Sequence, residues 1–119
     1  TPDFINTKAE KLMETELVKL GLFTENDIKN QDPDNPLVKK YFMHGVAHPI
    51  GLDVHDVGSK YEAFKAGMVF TCEPGLYIRE ENIGIRLEND ILITDNEPVD
   101  LMEDIPIEIA DIENIMIDR

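Results

Sequence analysis

Two stretches of this chain read as strands, and what lies between them forces them to pair. Residues 68–73 (Met68-Val69-Phe70-Thr71-Cys72-Glu73) are rich in the side chains that a pleated surface favours. Residues 84–94, from Gly84 to Thr94, alternate apolar and polar side chains with a period of two. Pro74-Gly75 interrupts the first strand, which resumes over 76–78. The link at 79–82 is short and charged. Parallel neighbours need a crossover of a dozen or more residues, so this spacing predicts an antiparallel hairpin.

Strand parity then places the charged side chains. Val69, Thr71 and Glu73 share one face, while Arg86 and Glu88 share a face with Leu87 opposite. Paired about the turn, the two arms bring Glu73 and Glu88 toward one cavity. A carboxylate at the end of an apolar strand needs a partner, because burying an unpaired charge is costly.

The partner points to residues 41–58. All three histidines of the chain, His44, His48 and His55, lie there, interleaved with Gly45, Pro49 and Gly51. Histidine is the side chain best suited to hold a metal or carry a proton near neutral pH. His48 with Glu73 and Glu88 makes a nitrogen-plus-oxygen set that suits a divalent ion such as Mn, Co, Zn or Fe. Two such ions sharing carboxylates activate a water for hydrolysis. One histidine and two glutamates do not fill two metal shells. Asp53 and Asp56 read as turn and strand-end residues in a segment, 52–56, that alternates with a period of two.

The rest of the chain supplies packing. Ala9, Leu12, Met13, Leu17 and Leu20 recur at helical spacing over 6–20. Asn6 or Thr7 is the expected cap, Glu10 completes a capping box, and Gly21 ends the helix. Residues 24–36 read as a loop with a helical turn over 25–29, and 37–42 as a short helix leading into His44. A final helix is expected over 108–117. With 119 residues the chain makes one domain at most. Helices followed by antiparallel strands and a last helix predict an α+β fold, a curved antiparallel sheet with helices covering one face.

Composition excludes several partners. Asp and Glu number 25 against 11 Lys and Arg, a net charge of -14, which argues against a nucleic-acid backbone. No apolar run is long enough to span a membrane, and no secretory signal is evident, so a soluble protein is expected. The single Cys72 excludes an internal disulfide and a multi-cysteine zinc site. It suits a reducing, cytoplasmic compartment, with Cys72 itself expected as a small buried residue.

Three strings taken together, HGVAHPIGLDVHDVG (44–58), GMVFTCEPGLYI (67–78) and GIRLENDILIT (84–94), resemble the C-terminal part of the pita-bread metallopeptidases. Within that group they look most like Xaa-Pro aminopeptidase (aminopeptidase P), with prolidase next. Three ordered motifs at consistent spacing carry far more weight than one short pattern. The resemblance implies that residues 1–119 are the C-terminal half of a creatinase/aminopeptidase-like catalytic domain. It implies metal ligation by His48, Glu73 and Glu88, with Glu73 also a proton acceptor and Glu88 bridging two ions. His44 and His55 match residues that bind substrate and support the tetrahedral intermediate, and Arg86 matches an arginine of the substrate site. The implied cofactor is two Mn2+, with Co2+ or Zn2+ possible alternatives. The implied substrate is a peptide with proline in second position. The pair of aspartate ligands that completes such a centre has no counterpart in residues 1–40, where Asp27, Asp32 and Asp34 fall in helix or loop. The chain alone is therefore expected to bind metal weakly, to be inactive, and to self-associate through its open half-sheet. The competing readings are an Xaa-Pro dipeptidase and a non-catalytic pita-bread binding module.

Overall fold

The helix that opens the chain starts four residues earlier than its apolar period predicts. The computed structural model describes residues 1–117, and in it α1 runs over Pro2–Lys19. Thr1 is the cap, its side chain accepting from the Phe4 N–H, and Pro2 fills the first turn, where a missing N–H costs nothing. Asn6 and Thr7 are thus inside the helix. The Thr7 hydroxyl donates to the Asp3 carbonyl, and the Asn6 side chain is committed elsewhere. Gly21, at φ +76°, turns the chain away where a side chain would be strained. A five-residue helix, α2 (Glu25–Lys29), follows, closed by a Thr24–Asp27 capping box. A 3-10 turn over Leu37–Lys40 then leads toward His44.

The core lies between these elements and the sheet. Leu17, Val38, Tyr41, Phe42 and Val46 are buried together, flanked by Ala9, Met13, Leu76 and Ile78. The Tyr77 N–H donates to the Tyr41 carbonyl at 2.9 Å and ties the second arm of the sheet to this cluster.

The hairpin forms as expected, but both its arms are broken at the same level. β1 (Val69–Cys72) pairs antiparallel with β4 (Asn89–Leu92), and β2 (Gly75–Ile78) pairs with β3 (Ile83–Arg86). A short β5 (Val99–Asp100) extends the first sheet beyond β4. The stretch 84–94, read as one continuous strand, is therefore two. Pro74 has no N–H to donate across the ladder, and the Leu87 N–H reaching the Pro74 carbonyl at 3.3 Å is what spans the gap. The turn at the hairpin's end is a 3-10 turn over Arg79–Glu81, closed by Asn82 at φ 55°, a conformation asparagine tolerates.

Two more expectations change, at residues 51–55 and at Cys72, while the last helix forms as expected. Residues 51–55 do not form a strand; they bend, with Leu52 and Val54 exposed. The Asp56 carboxylate accepts from the Leu52 and Val57 N–H groups, so backbone donors that a ladder would use are taken locally. Gly51 lets that carboxylate in, since a Cβ there would lie 2.1 Å from Asp56 Oδ2. Cys72 is exposed rather than buried. The last helix, α3 (Ile109–Ile117), is present, but none of its residues is buried. Among the described residues no helix is long and apolar enough to cross a membrane.

Candidate metal centre

The register of the hairpin carries straight across its break. Cys72 faces Asn89 on one side and Gly75 faces Arg86 on the other, so Glu73 and Glu88 stand opposite each other. Like charges directly across a ladder repel. Glu73 is moreover buried, at 8% exposure, where an uncompensated carboxylate is expensive. Two cationic or metal-ligating groups answer this. Arg86 Nη1 lies 3.3 Å from Glu73 Oε2 and its Nη2 lies 2.9 Å from Glu88 Oε2. On the other flank His48 Nε2 lies 3.3 Å from Glu73 Oε1.

His48 arrives there because the segment 46–50 runs along the outer edge of β1. The N–H groups of Glu73 and Thr71 donate to the carbonyls of Val46 and His48, at 2.8 and 2.9 Å. Helix α1 fixes the same segment from behind. Asn6 Oδ1 accepts from the Val46 N–H at 2.7 Å, and Gly45 leaves the amide room, since a Cβ there would be 3.3 Å from that oxygen. His48 Nδ1 lies 3.0 Å from the Pro49 carbonyl, which can only accept, so Nδ1 carries the proton. That leaves Nε2 as the nitrogen facing the Glu73 carboxylate. Two lone-pair donors facing each other call for a cation or proton between them. Metal-ligating histidines orient themselves this way, with the second nitrogen donating to a backbone carbonyl.

One ligand atom each from His48, Glu73 and Glu88 lies within 4.8 Å of the others. Donor chemistry and spacing fit a divalent ion, with coordination positions left over. The three expected ligands thus meet in one place. His55 stacks edge-on over His48, with ring centroids 4.2 Å apart, and Arg86 borders both carboxylates. His44 belongs to a neighbouring cluster. Its Nδ1 faces the Gly45 carbonyl at 2.7 Å, and its Nε2 pairs with the Tyr77 hydroxyl at 2.9 Å. Gly75 is required beside this pair, because a Cβ there would come within 2.7 Å of the tyrosine oxygen and 2.9 Å of His44 Nε2.

Sequence reasoning passed over Tyr77, Thr71 and Asn6. Tyr77 has no signal beyond its place in the Pro-Gly-Leu-Tyr string. Thr71 shares the Glu73 face by parity, which was the available clue. Asn6 had been assigned to a helix cap.

Comparison with known proteins gives the family and the fold. The profile described as metallopeptidase family M24 matches residues 1–95. The Xaa-Pro aminopeptidase of Haemophilus influenzae is 44% identical over 90 residues, which cover 66% of this chain and 21% of that protein. Intermediate cleaving peptidase 55 of Saccharomyces cerevisiae is 39% identical over 122 residues, covering 94% and 22%. Zinc-substituted Escherichia coli aminopeptidase P, solved in complex with product, superposes with a TM-score of 0.76 at 35% identity, covering 92% of this chain and 27% of that one. The chain spans about a fifth of the length of these two curated relatives. Its antiparallel α+β architecture is the pita-bread architecture of aminopeptidase P over the matched stretch. With the profile running from the first residue of α1 through the whole hairpin, the chain belongs to metallopeptidase family M24.

Proposed function

We propose that this chain forms one wall of the centre of a metal-dependent exopeptidase that removes the N-terminal residue from peptides with proline in second position. The observation that carries the reading is the convergence of His48, Glu73 and Glu88 within 4.8 Å in a chain of family M24. His48 Nε2 and the carboxylates of Glu73 and Glu88 would hold the metal, which we take to be two Mn2+, with Co2+ or Zn2+ as substitutes. Metal held there would supply an activated water at neutral pH and polarise the scissile carbonyl. By the motif resemblance, two aspartates with no counterpart in residues 1–40 would complete the shells.

The chain's own residues do the rest. The Glu73 carboxylate accepts the proton released by the attacking water and returns it to the leaving amine. His55, stacked on His48 and exposed on its other side, and His44, oriented by Tyr77, contact the substrate and stabilise the charge that develops on the carbonyl oxygen. Arg86 neutralises the opposed carboxylates and lines the peptide's path. The names of the relatives favour the aminopeptidase over the dipeptidase reading. The retained ligand set favours an enzyme over a binding module. A cytoplasmic, self-associating protein completes the proposal, the latter motivated by exposed apolar residues such as Ile83, Ile85, Leu52 and Val57.

The test is Mn2+ titration into the full-length protein while hydrolysis of a proline-second peptide is followed. Activity that rises with Mn2+ and vanishes in Glu73→Ala is expected, with this chain alone inactive. Mn2+-independent cleavage, or an active Glu73→Ala variant, sinks the reading.

A further inference from the structure

Thr71 is one of the most deeply buried side chains of the protein, at 2% exposure, yet it is polar. Its hydroxyl lies between two elements of the site. Oγ1 accepts from the His48 backbone N–H at 3.0 Å and donates to Glu73 Oε1 at 3.3 Å. The first of these bonds departs from ordinary sheet pairing. In an antiparallel ladder, a hydrogen-bonded pair exchanges two backbone bonds. Here the Thr71 N–H donates to the His48 carbonyl as a ladder requires. The His48 N–H does not return to the Thr71 carbonyl; it goes to the side chain. The segment 46–50 is accordingly no regular strand, and its one bridge to β1 is Pro49 to Phe70. The hydroxyl stands in for a main-chain acceptor and ties the His48 backbone to the strand face that Glu73 shares.

We propose that Thr71 is a positioning residue of the metal centre, its hydroxyl fixing the His48 main chain and one Glu73 oxygen to the same atom. This rests on the reading of His48 and Glu73 as ligands. Thr71 itself supplies no ligand. The proton it donates to Oε1 leaves that oxygen's other lone pair free, and the bond it accepts sets where the imidazole starts from. Valine at this position has the same shape and keeps the strand, so the apolar packing around it does not require threonine. What valine lacks is the one atom both ligands share. Serine keeps it.

The test compares Thr71→Val with Thr71→Ser in this chain. Without metal, exchange of the His48 amide hydrogen is followed by NMR. It is expected to quicken about fivefold to tenfold in Thr71→Val, the loss of one hydrogen bond, and to stay near wild type in Thr71→Ser. With metal, Co2+ uptake is followed by its visible absorption. Affinity is expected to fall about tenfold or more in Thr71→Val, as for other partners of metal ligands, with serine restoring it. A His48 amide as protected in Thr71→Val as in wild type overturns the inference, and so does equal Co2+ affinity in the two, which leaves the metal centre itself standing. A wild-type chain without any Co2+ absorption even with Co2+ in large excess over the chain overturns the ligand assignment instead, while the metal-free exchange rates still decide what Thr71 does.

Discussion

Arg86 and a metal ion compete for the same oxygens, and Arg86→Met measures that competition. The guanidinium spans Glu73 Oε2 and Glu88 Oε2 at 3.3 and 2.9 Å, holding together two carboxylates that the register sets face to face. Metal–oxygen bonds are about 2 Å, so an ion on these carboxylates sits on the order of 5 Å from the guanidinium charge. The arginine side chain is 48% exposed, which makes a water-like dielectric the appropriate one. A double charge against a single charge at that distance and an effective dielectric of about 80 repel by about 1.7 kcal/mol, or roughly fifteenfold in affinity. Removing Arg86 is therefore expected to tighten Co2+ or Zn2+ binding to this chain by roughly that factor at low salt. The gain shrinks as the Debye length falls from ~30 Å at about 0.01 M salt to ~8 Å at about 0.15 M. Without metal the same substitution has the opposite sign. Two partly exposed ion pairs are lost, at up to about 1 kcal/mol each, and the opposed carboxylates are left to repel. The assay pairs calorimetric titration at the two salt concentrations with a metal-free thermal melt. Weaker metal binding by Arg86→Met, or a gain that does not depend on salt, would refute the argument that these carboxylates form a cation site held closed by arginine.

Two further outcomes follow from the packing. Phe42 is 1% exposed at the centre of the small core, and Phe42→Ala is expected to cost about 3–5 kcal/mol in urea unfolding, a large share of a domain's ~5–15 kcal/mol; a loss below ~1 kcal/mol contradicts the core assignment. The Cys72 thiol is pushed above its ordinary value, first by the water it loses to its neighbours and then by the nearby Asp100 and Glu73 charges. Its pH-dependent rate of alkylation by iodoacetamide should therefore still climb where a free thiol's rate has levelled, and an earlier plateau counts against this electrostatic picture.

Much of this architecture is local and can be read directly. The turn at 79–82 is too short for anything but antiparallel pairing, and side-chain parity alone puts Glu73 on the face of Thr71 and Arg86 on the face of Glu88. Residue type and strand alternation single out His48, Glu73 and Glu88 as candidate ligands, whereas the roles expected of His44, His55 and Arg86 come only from the resemblance of the three motifs. The start of α1 at Thr1-Pro2 was missed, because the apolar period that locates helices says little about a first turn in which Asp3, Phe4 and Ile5 face solvent.

What tertiary structure decided is everything that depends on one segment meeting another. No local rule says that the breaks at Glu73-Pro74 and Leu87-Glu88 fall at the same level, yet this is what opposes the two carboxylates and creates the need for a cation. The alternation at 52–56 looked like a strand because periodicity reports side chains and not backbone partners; Asp56 had already taken the donors. Asn6 is forty residues from Val46, and the Thr71 hydroxyl replaces a carbonyl in a ladder that the sequence does not announce. Residue type and spacing are local, so the sequence could narrow the candidate side chains to a few strings. Only the packed chain decided which atoms they face, because a hydrogen bond is a matter of tenths of an ångström between segments that sequence alone leaves far apart.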